Sequence, residues 1–83
     1  MILINYFASY RDRLNLGGEK IPASNTLACV EDVRQMLMQR GDVWREVLGA
    51  GNLMCAVNQE LCQPDRAIED FDEIAFFPPV TGG

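Results

Sequence analysis

The sequence predicts an α+β fold in which a mixed sheet of four to five strands wraps around one main helix. Three observations lead there. Apolar stretches of period two open and close the chain, one long amphipathic helical pattern lies between them, and two further short strands flank an Asn-Gln turn. At 83 residues, with 48% apolar and 23% charged side chains, the chain can build one core and no second domain of ordinary size.

Residues 2–7 place Ile2, Ile4 and Tyr6 on one side and Leu3, Asn5 and Phe7 on the other. Because Leu3 and Phe7 make the second side apolar too, this strand belongs in the middle of a sheet. Residues 11–15 offer a turn of helix that Gly17 and Gly18 end. Residues 19–23 form a short strand, hairpinned to the first, in which Pro22 lacks a ladder donor and favours an edge. From 27 to 40 the period becomes helical, with Val30, Val33, Met36 and Leu37 on one face and Glu31, Asp32, Arg34 and Gln35 toward solvent. Glu31 and Asp32 suit the positive start of this helix, and Arg40 before Gly41 suits its end. Thr26 or Asn25 would cap it, whereas Cys29 is a poor cap. A shorter helix follows, with Asp42 as cap, Trp44, Val47 and Leu48 inward, and glycines 49 and 51 as the stop.

Residues 53–57 and 60–62 flank Asn58 and Gln59, and Asn tolerates the positive φ of a two-residue hairpin turn. That turn pairs 57 with 60, 56 with 61 and 55 with 62, which makes Cys55 and Cys62 cross-strand neighbours, expected as reduced, packed thiols. After Pro64 and Asp65 break the strand, residues 73–77 form the last one, with Ile74 and Phe76 on one side and Ala75 and Phe77 on the other. First and last strands, apolar on both sides, are expected side by side and parallel in the sheet centre after a helical crossover. This is the β-grasp, or ubiquitin-like, arrangement, with a domain over 1–77 and an extended tail over 78–83.

Composition narrows function. Seven basic against twelve acidic residues leave a net charge of −5, the wrong sign for nucleic acid or an anionic membrane surface. The absence of His removes the commonest general base and zinc ligand. Cys29, Cys55 and Cys62 spell neither a disulfide framework nor a zinc site, so a reducing, cytoplasmic setting is expected. The apolar opening has no basic leader, and no run approaches the roughly 20 apolar residues that cross a bilayer. Glu69, Asp70, Asp72 and Glu73 crowd around Phe71; they fit a solvated loop better than a cation site, and no metal is expected.

Chemistry concentrates after Phe77. Pro78 and Pro79 block ladder pairing and stiffen the exit, and Val80, Thr81, Gly82 and Gly83 carry no charged or large side chain. Six extended residues reach at most about 20 Å, far enough to enter another protein's cleft. A final glycine pair arises by chance in about one chain in 200, so the pair alone decides nothing. On a small β-grasp pattern, behind a proline spacer, it marks the Gly83 carboxylate as the reacting group.

The stretch from Glu73 through Phe76-Phe77-Pro78-Pro79-Val80-Thr81-Gly82-Gly83 closely resembles the ending of the small, sulfur-carrying subunits of molybdopterin synthases. Ala56-Val57-Asn58-Gln59-Glu60-Leu61 and the helix from Val30 to Gln35 resemble that family too, so the likeness spans essentially the whole chain. Extra residues around 15–19, and Cys29 where the family often has a capping Thr, depart from it. The resemblance implies that an ubiquitin-activating-like adenylyltransferase uses ATP to adenylate Gly83, and that a sulfur donor protein converts the adenylate into a thiocarboxylate. The loaded tail, with Gly82 and Gly83 as reacting end, would then enter the large catalytic subunit of a heterotetramer and give its sulfur to cyclic pyranopterin monophosphate in molybdenum cofactor biosynthesis. No cofactor is then bound by this chain itself. Its acids and bases belong to partners, in keeping with a chain that lacks any convincing nucleophile.

Parity supplies the docking face. If Ile2, Ile4, Tyr6, Ile74 and Phe76 pack on the helix, Phe7 and Phe77 appear on the other side, and Leu61 joins them when Cys55 and Val57 point inward. The same resemblance makes Phe7, Leu61, Phe77, Pro78, Pro79, Val80 and Thr81 partner-binding residues; loops covering a two-sided sheet are the alternative. Two other functions fit a diglycine end: a sulfur carrier for thiazole or tRNA thiolation, and a ubiquitin-like modifier. Mass spectrometry of the protein from its native host separates them. A carrier shows sulfur in place of oxygen on Gly83, and a modifier shows lysine conjugates of higher mass.

Overall fold

Alternation in the sequence becomes one five-stranded sheet. In a computed structural model that describes residues 1–79, the elements run β1 (Ile2–Tyr6), α1 (Ala8–Leu14), β2 (Gly18–Ile21), α2 (Val30–Met38), α3 (Asp42–Leu48), β3 (Met54–Val57), β4 (Glu60–Cys62) and β5 (Glu73–Phe77). The expectations placed on Val80, Thr81, Gly82 and Gly83 lie outside the described residues. The strand order is β2-β1-β5-β3-β4, with β1 and β5 parallel at the centre and the other pairs antiparallel. Both central strands repeat a buried, half-buried alternation, as strands flanked on each side should. Among the described residues no helix is long and apolar enough to cross a membrane.

The inward sides of β1, β3 and β5 meet Val30, Val33 and Leu37 of α2, with Val47 and Leu48 of α3 closing one end. Tyr6 stacks on Phe76 with ring centroids 6.4 Å apart and meets Trp44 edge-on at 5.6 Å. Its hydroxyl donates to Glu19 at 2.8 Å, and Glu19 receives both terminal nitrogens of Arg40 at 2.7 and 2.8 Å. The Arg40 guanidinium also lies 4.7 Å from the Trp44 ring. Burial pushes the Tyr6 hydroxyl far above the usual tyrosine range, and the Arg40 hydrogen bonds hold the Glu19 carboxyl below its own.

Five details differ from the sequence expectation. The first helix starts at Ala8, because the Phe7 carbonyl accepts the Tyr10 and Arg11 N–H groups and Tyr10 and Leu14, one turn apart, both bury. Asn15 ends it at φ 55°, its N–H returning to the Arg11 carbonyl, where the two glycines were expected to act. α2 starts at Val30 because residues 28–31 pair with the following loop. Cys29 bridges Ala67, the Val30 N–H reaches the Arg66 carbonyl at 3.0 Å and the Glu31 N–H reaches the Pro64 carbonyl at 2.8 Å. Cys29 is therefore the cap residue, helped by Asp32, whose carboxylate accepts the Ala28 and Cys29 N–H groups at 2.9 and 3.1 Å, while Thr26 bonds Ser24. Those backbone donors, Ala28 first, hold the Asp32 carboxyl below its usual range. Gly41 at φ 156° precedes α3 and takes the cap position expected of Asp42, and Met36 is exposed at the margin of the buried stripe.

The Glu19 network has a signed pH consequence. A depressed carboxyl adds stability above its unfolded value of about 4.3 and loses it as pH falls through its folded value. Glu19→Gln is expected to cost about 1–2 kcal/mol at pH 7. The gap to wild type should shrink as pH falls below about 4, read as urea midpoints at neutral and acid pH.

Candidate functional site

The outer side of the sheet is built by register. Asn5 opposes Ala75, Ala75 opposes Ala56, and Ala56 opposes Leu61, giving a row across four strands. One step along, Met54 opposes Phe77, and continuation of the parallel register sets Phe7 on the other side of Phe77. The Phe7 N–H donates to the Phe76 carbonyl at 3.2 Å, which fixes that residue beside the end of β5. The structure thus brings together Phe7, Leu61 and Phe77, the three sheet residues expected to bind a partner. Leu61 is 68% exposed, Phe7 48% and Met54 36%, while Phe77 and Ala75 are half-buried and Ala56 is buried among them.

Two features place Leu61 here. Cys55 and Val57 are buried against the helices, which turns Met54 and Ala56 outward with their partners. The connecting turn holds Asn58 at φ 51° and Gln59 at φ 70°, the paired positive angles of a two-residue hairpin, and yields the expected register of 57 with 60. Asn58 ties that turn to β5: its N–H donates to the Glu73 carbonyl at 2.8 Å and its amide oxygen accepts the Glu73 N–H at 3.0 Å.

Met54, Ala56 and Ala75 complete the surface and were not singled out from sequence. The signal was present, because the parity that turns Leu61 outward does the same for its row. Pro78 and Pro79, both half-buried, follow directly from Phe77, so the chain leaves the ladder at the edge of the apolar face. Val80, Thr81, Gly82 and Gly83 lie outside the described residues. The face offers aliphatic and aromatic contacts and one amide.

The acidic loop lies at the opposite end of β5. Asp72 accepts the Glu69 N–H at 2.7 Å and the Asn58 amide at 3.0 Å, Asp70 pairs with the N-terminal amine, and the Phe71 N–H donates to the Met1 carbonyl at 2.7 Å. These contacts commit the Asp70 and Asp72 carboxylates to folding the loop, and among the described residues no group of three or more His, Cys, Asp or Glu could hold a metal ion.

A mixed sheet gripping one main helix, with an apolar outer face running into a chain exit, defines a ubiquitin-like β-grasp protein. The chain belongs to the ThiS family, whose model matches residues 4–83. It is 42% identical over 83 residues to the molybdopterin synthase sulfur carrier subunit of Haemophilus influenzae and 40% identical to that of Escherichia coli, covering the whole of each chain. Its fold is similar to that of SAMP1 from Haloferax volcanii, at TM-score 0.79 and 23% identity, covering 99% of this chain and 98% of that one. It is also similar to a chain in the complex of subunits 1 and 2 of molybdopterin-converting factor from Helicobacter pylori, at TM-score 0.68 and 24% identity, covering 99% and 97%.

Neighbouring residues of opposite parity should separate docking from folding. Leu61→Glu is expected to change stability by no more than about 0.5 kcal/mol. Phe76→Ala, inward by one residue from Phe77, is expected to cost about 3–5 kcal/mol. Urea unfolding of both variants checks the contrast.

Proposed function

We propose that this chain is the sulfur-carrier subunit of a molybdopterin synthase, acting through a thiocarboxylate on Gly83. One observation carries the reading: the apolar face on which Phe7, Met54 and Leu61 are exposed and Phe77 is half-buried is continuous with the point where the chain leaves β5 at Pro78, in a chain 40–42% identical to proteins of that name. A surface that docks and a tail that starts at its edge suit delivery of the tail into the same partner. That partner is the large catalytic subunit, as in the two-subunit arrangement named for the Helicobacter pylori complex.

In this reading the Gly83 carboxylate attacks the α-phosphate of ATP on an adenylyltransferase, and pyrophosphate leaves. A persulfide from a sulfur donor protein then displaces AMP to give an acyl disulfide, and a second thiol cleaves its S–S bond, forming a disulfide with the donor sulfur and leaving the thiocarboxylate on Gly83. A carboxylate is a poor electrophile, and the adenylate supplies the leaving group that lets sulfur attach. Gly82 and Gly83 bring no side chain into the narrow sites where both transfers occur. Pro78, Pro79, Val80 and Thr81 span the distance, and the domain stays in the cytoplasm with its partners. This chain binds no cofactor and supplies position, while proton transfers fall to partner residues.

The decisive experiment adds one residue after Gly83. Neither replacement of oxygen by sulfur nor molybdopterin formation is expected from this variant in a reconstituted system, while its binding to the large subunit persists. Sulfur transfer without trimming of the extra residue would overturn the reading. Leu61→Glu should do the reverse, retaining a chemically competent terminus while weakening association with the large subunit by about tenfold or more, which calorimetry would read as roughly 1.4 kcal/mol.

A further inference from the structure

Cys55 and Cys62 face each other across the β3–β4 ladder on the helix side of the sheet, and both are free thiols. Their Sγ atoms are 3.9 Å apart, and the Cys55 thiol donates to the Cys62 carbonyl at 3.4 Å. Counted outward from the two-residue turn, 57 with 60 is a hydrogen-bonded pair, 56 with 61 is not, and 55 with 62 is again. Such a pair holds its Cα atoms about 5.5 Å apart, within the roughly 4.4–6.8 Å that disulfides span. Bringing the sulfurs from 3.9 Å to about 2 Å therefore asks for side-chain rotation together with a small closing of the local strand spacing, because Cβ atoms of a hydrogen-bonded pair sit about 5.5 Å apart.

The two thiols differ in access. Cys55 is 2% exposed, while Cys62 is half-buried on β4, the three-residue strand at the sheet edge. Burial, reinforced by the neighbouring Cys62, pushes the Cys55 thiol up to about 12, so it is protonated at neutral pH and slow to react first.

We propose that Cys55 and Cys62 form a reversible cross-strand disulfide, with Cys62 as the thiol that meets a small disulfide such as oxidised glutathione and Cys55 as the thiol that resolves the adduct. The Cys62 thiolate attacks one glutathione sulfur, the glutathione S–S bond breaks, and one glutathione thiolate leaves and takes up the proton that Cys62 has lost. Cys55 then gives up its proton and attacks the Cys62 sulfur, expelling the second glutathione, which takes that proton. Two protein thiols are oxidised by two electrons and one glutathione disulfide is reduced to two thiols. Once Cys62 is capped, the 3.9 Å separation makes the second attack intramolecular. The product pins the short edge strand to β3. It is independent of sulfur carriage, since it involves neither the tail nor the outward rows.

The test exposes the full chain to oxidised glutathione and maps thiols by alkylation and mass spectrometry. Wild type is expected to lose two hydrogens and yield one linked peptide joining residues 55 and 62, with Cys29 still alkylated and reduced glutathione reversing the change. Cys55→Ala should stop with one glutathione on Cys62, and Cys62→Ala should carry none on Cys55 after the same exposure. The wild-type result requires neither variant to fold. A wild type that stops at the glutathione adduct, a covalent dimer, or preferential capture of Cys55 each overturns the proposal.

Discussion

The parallel pairing of β1 with β5 is the constraint on which the remaining architecture depends. Both strands bury every inward side chain against the helices, Ile2, Ile4 and Tyr6 of one and Ile74 and Phe76 of the other, which suits places flanked on both sides. Set together, they put the start and the end of the chain side by side, and the intervening residues must cross over and come back. α2 makes that crossover on the inward side, and β2 and β3 take the two flanks. Ile4 opposite Ile74 and Tyr6 opposite Phe76 supply the inward half of this contact. Asn5 opposite Ala75, and Phe7 beyond, supply the outward half. The arrangement that buries the core thus also lays out the outer apolar face.

Helix starts show how tertiary contacts override local preference. Cys29 is a weak cap by itself, yet α2 begins there because the loop carbonyls of Pro64 and Arg66 receive the first free N–H groups and Asp32 reaches back to two others. A cap residue is needed to satisfy donors, and it matters little whether a side chain or a distant backbone does so. Thr26, the better local candidate, is left to bond Ser24. The Tyr6–Glu19–Arg40 network works similarly at the other end of α2, joining residues far apart in sequence by hydrogen bonds that all involve the one carboxylate.

What could be read from sequence follows from how local each signal is. The β3–β4 register was legible to the residue, because a two-residue turn leaves no freedom once Asn58 and Gln59 are placed. Central β1 and β5 were legible from two-sided apolar alternation. The start of α1 was not, because it depends on Phe7, whose N–H is held by β5 and whose carbonyl begins the helix. Met36 was misplaced because the helix has room for one narrow buried stripe, set by Val30, Val33 and Leu37. On the docking face, Phe7, Leu61 and Phe77 announced themselves by size, while the alanines between them count only once the strands are laid out in order.

The exit at Phe77 also has a mechanical meaning. β5 is bonded along one side to β1 and along the other to β3, and the chain leaves along its axis. A pull on the tail therefore loads both ladders in shear, so many bonds share the force at once and none is peeled singly. A domain gripped by its end inside a partner can be drawn in, turned and extracted with its sheet intact.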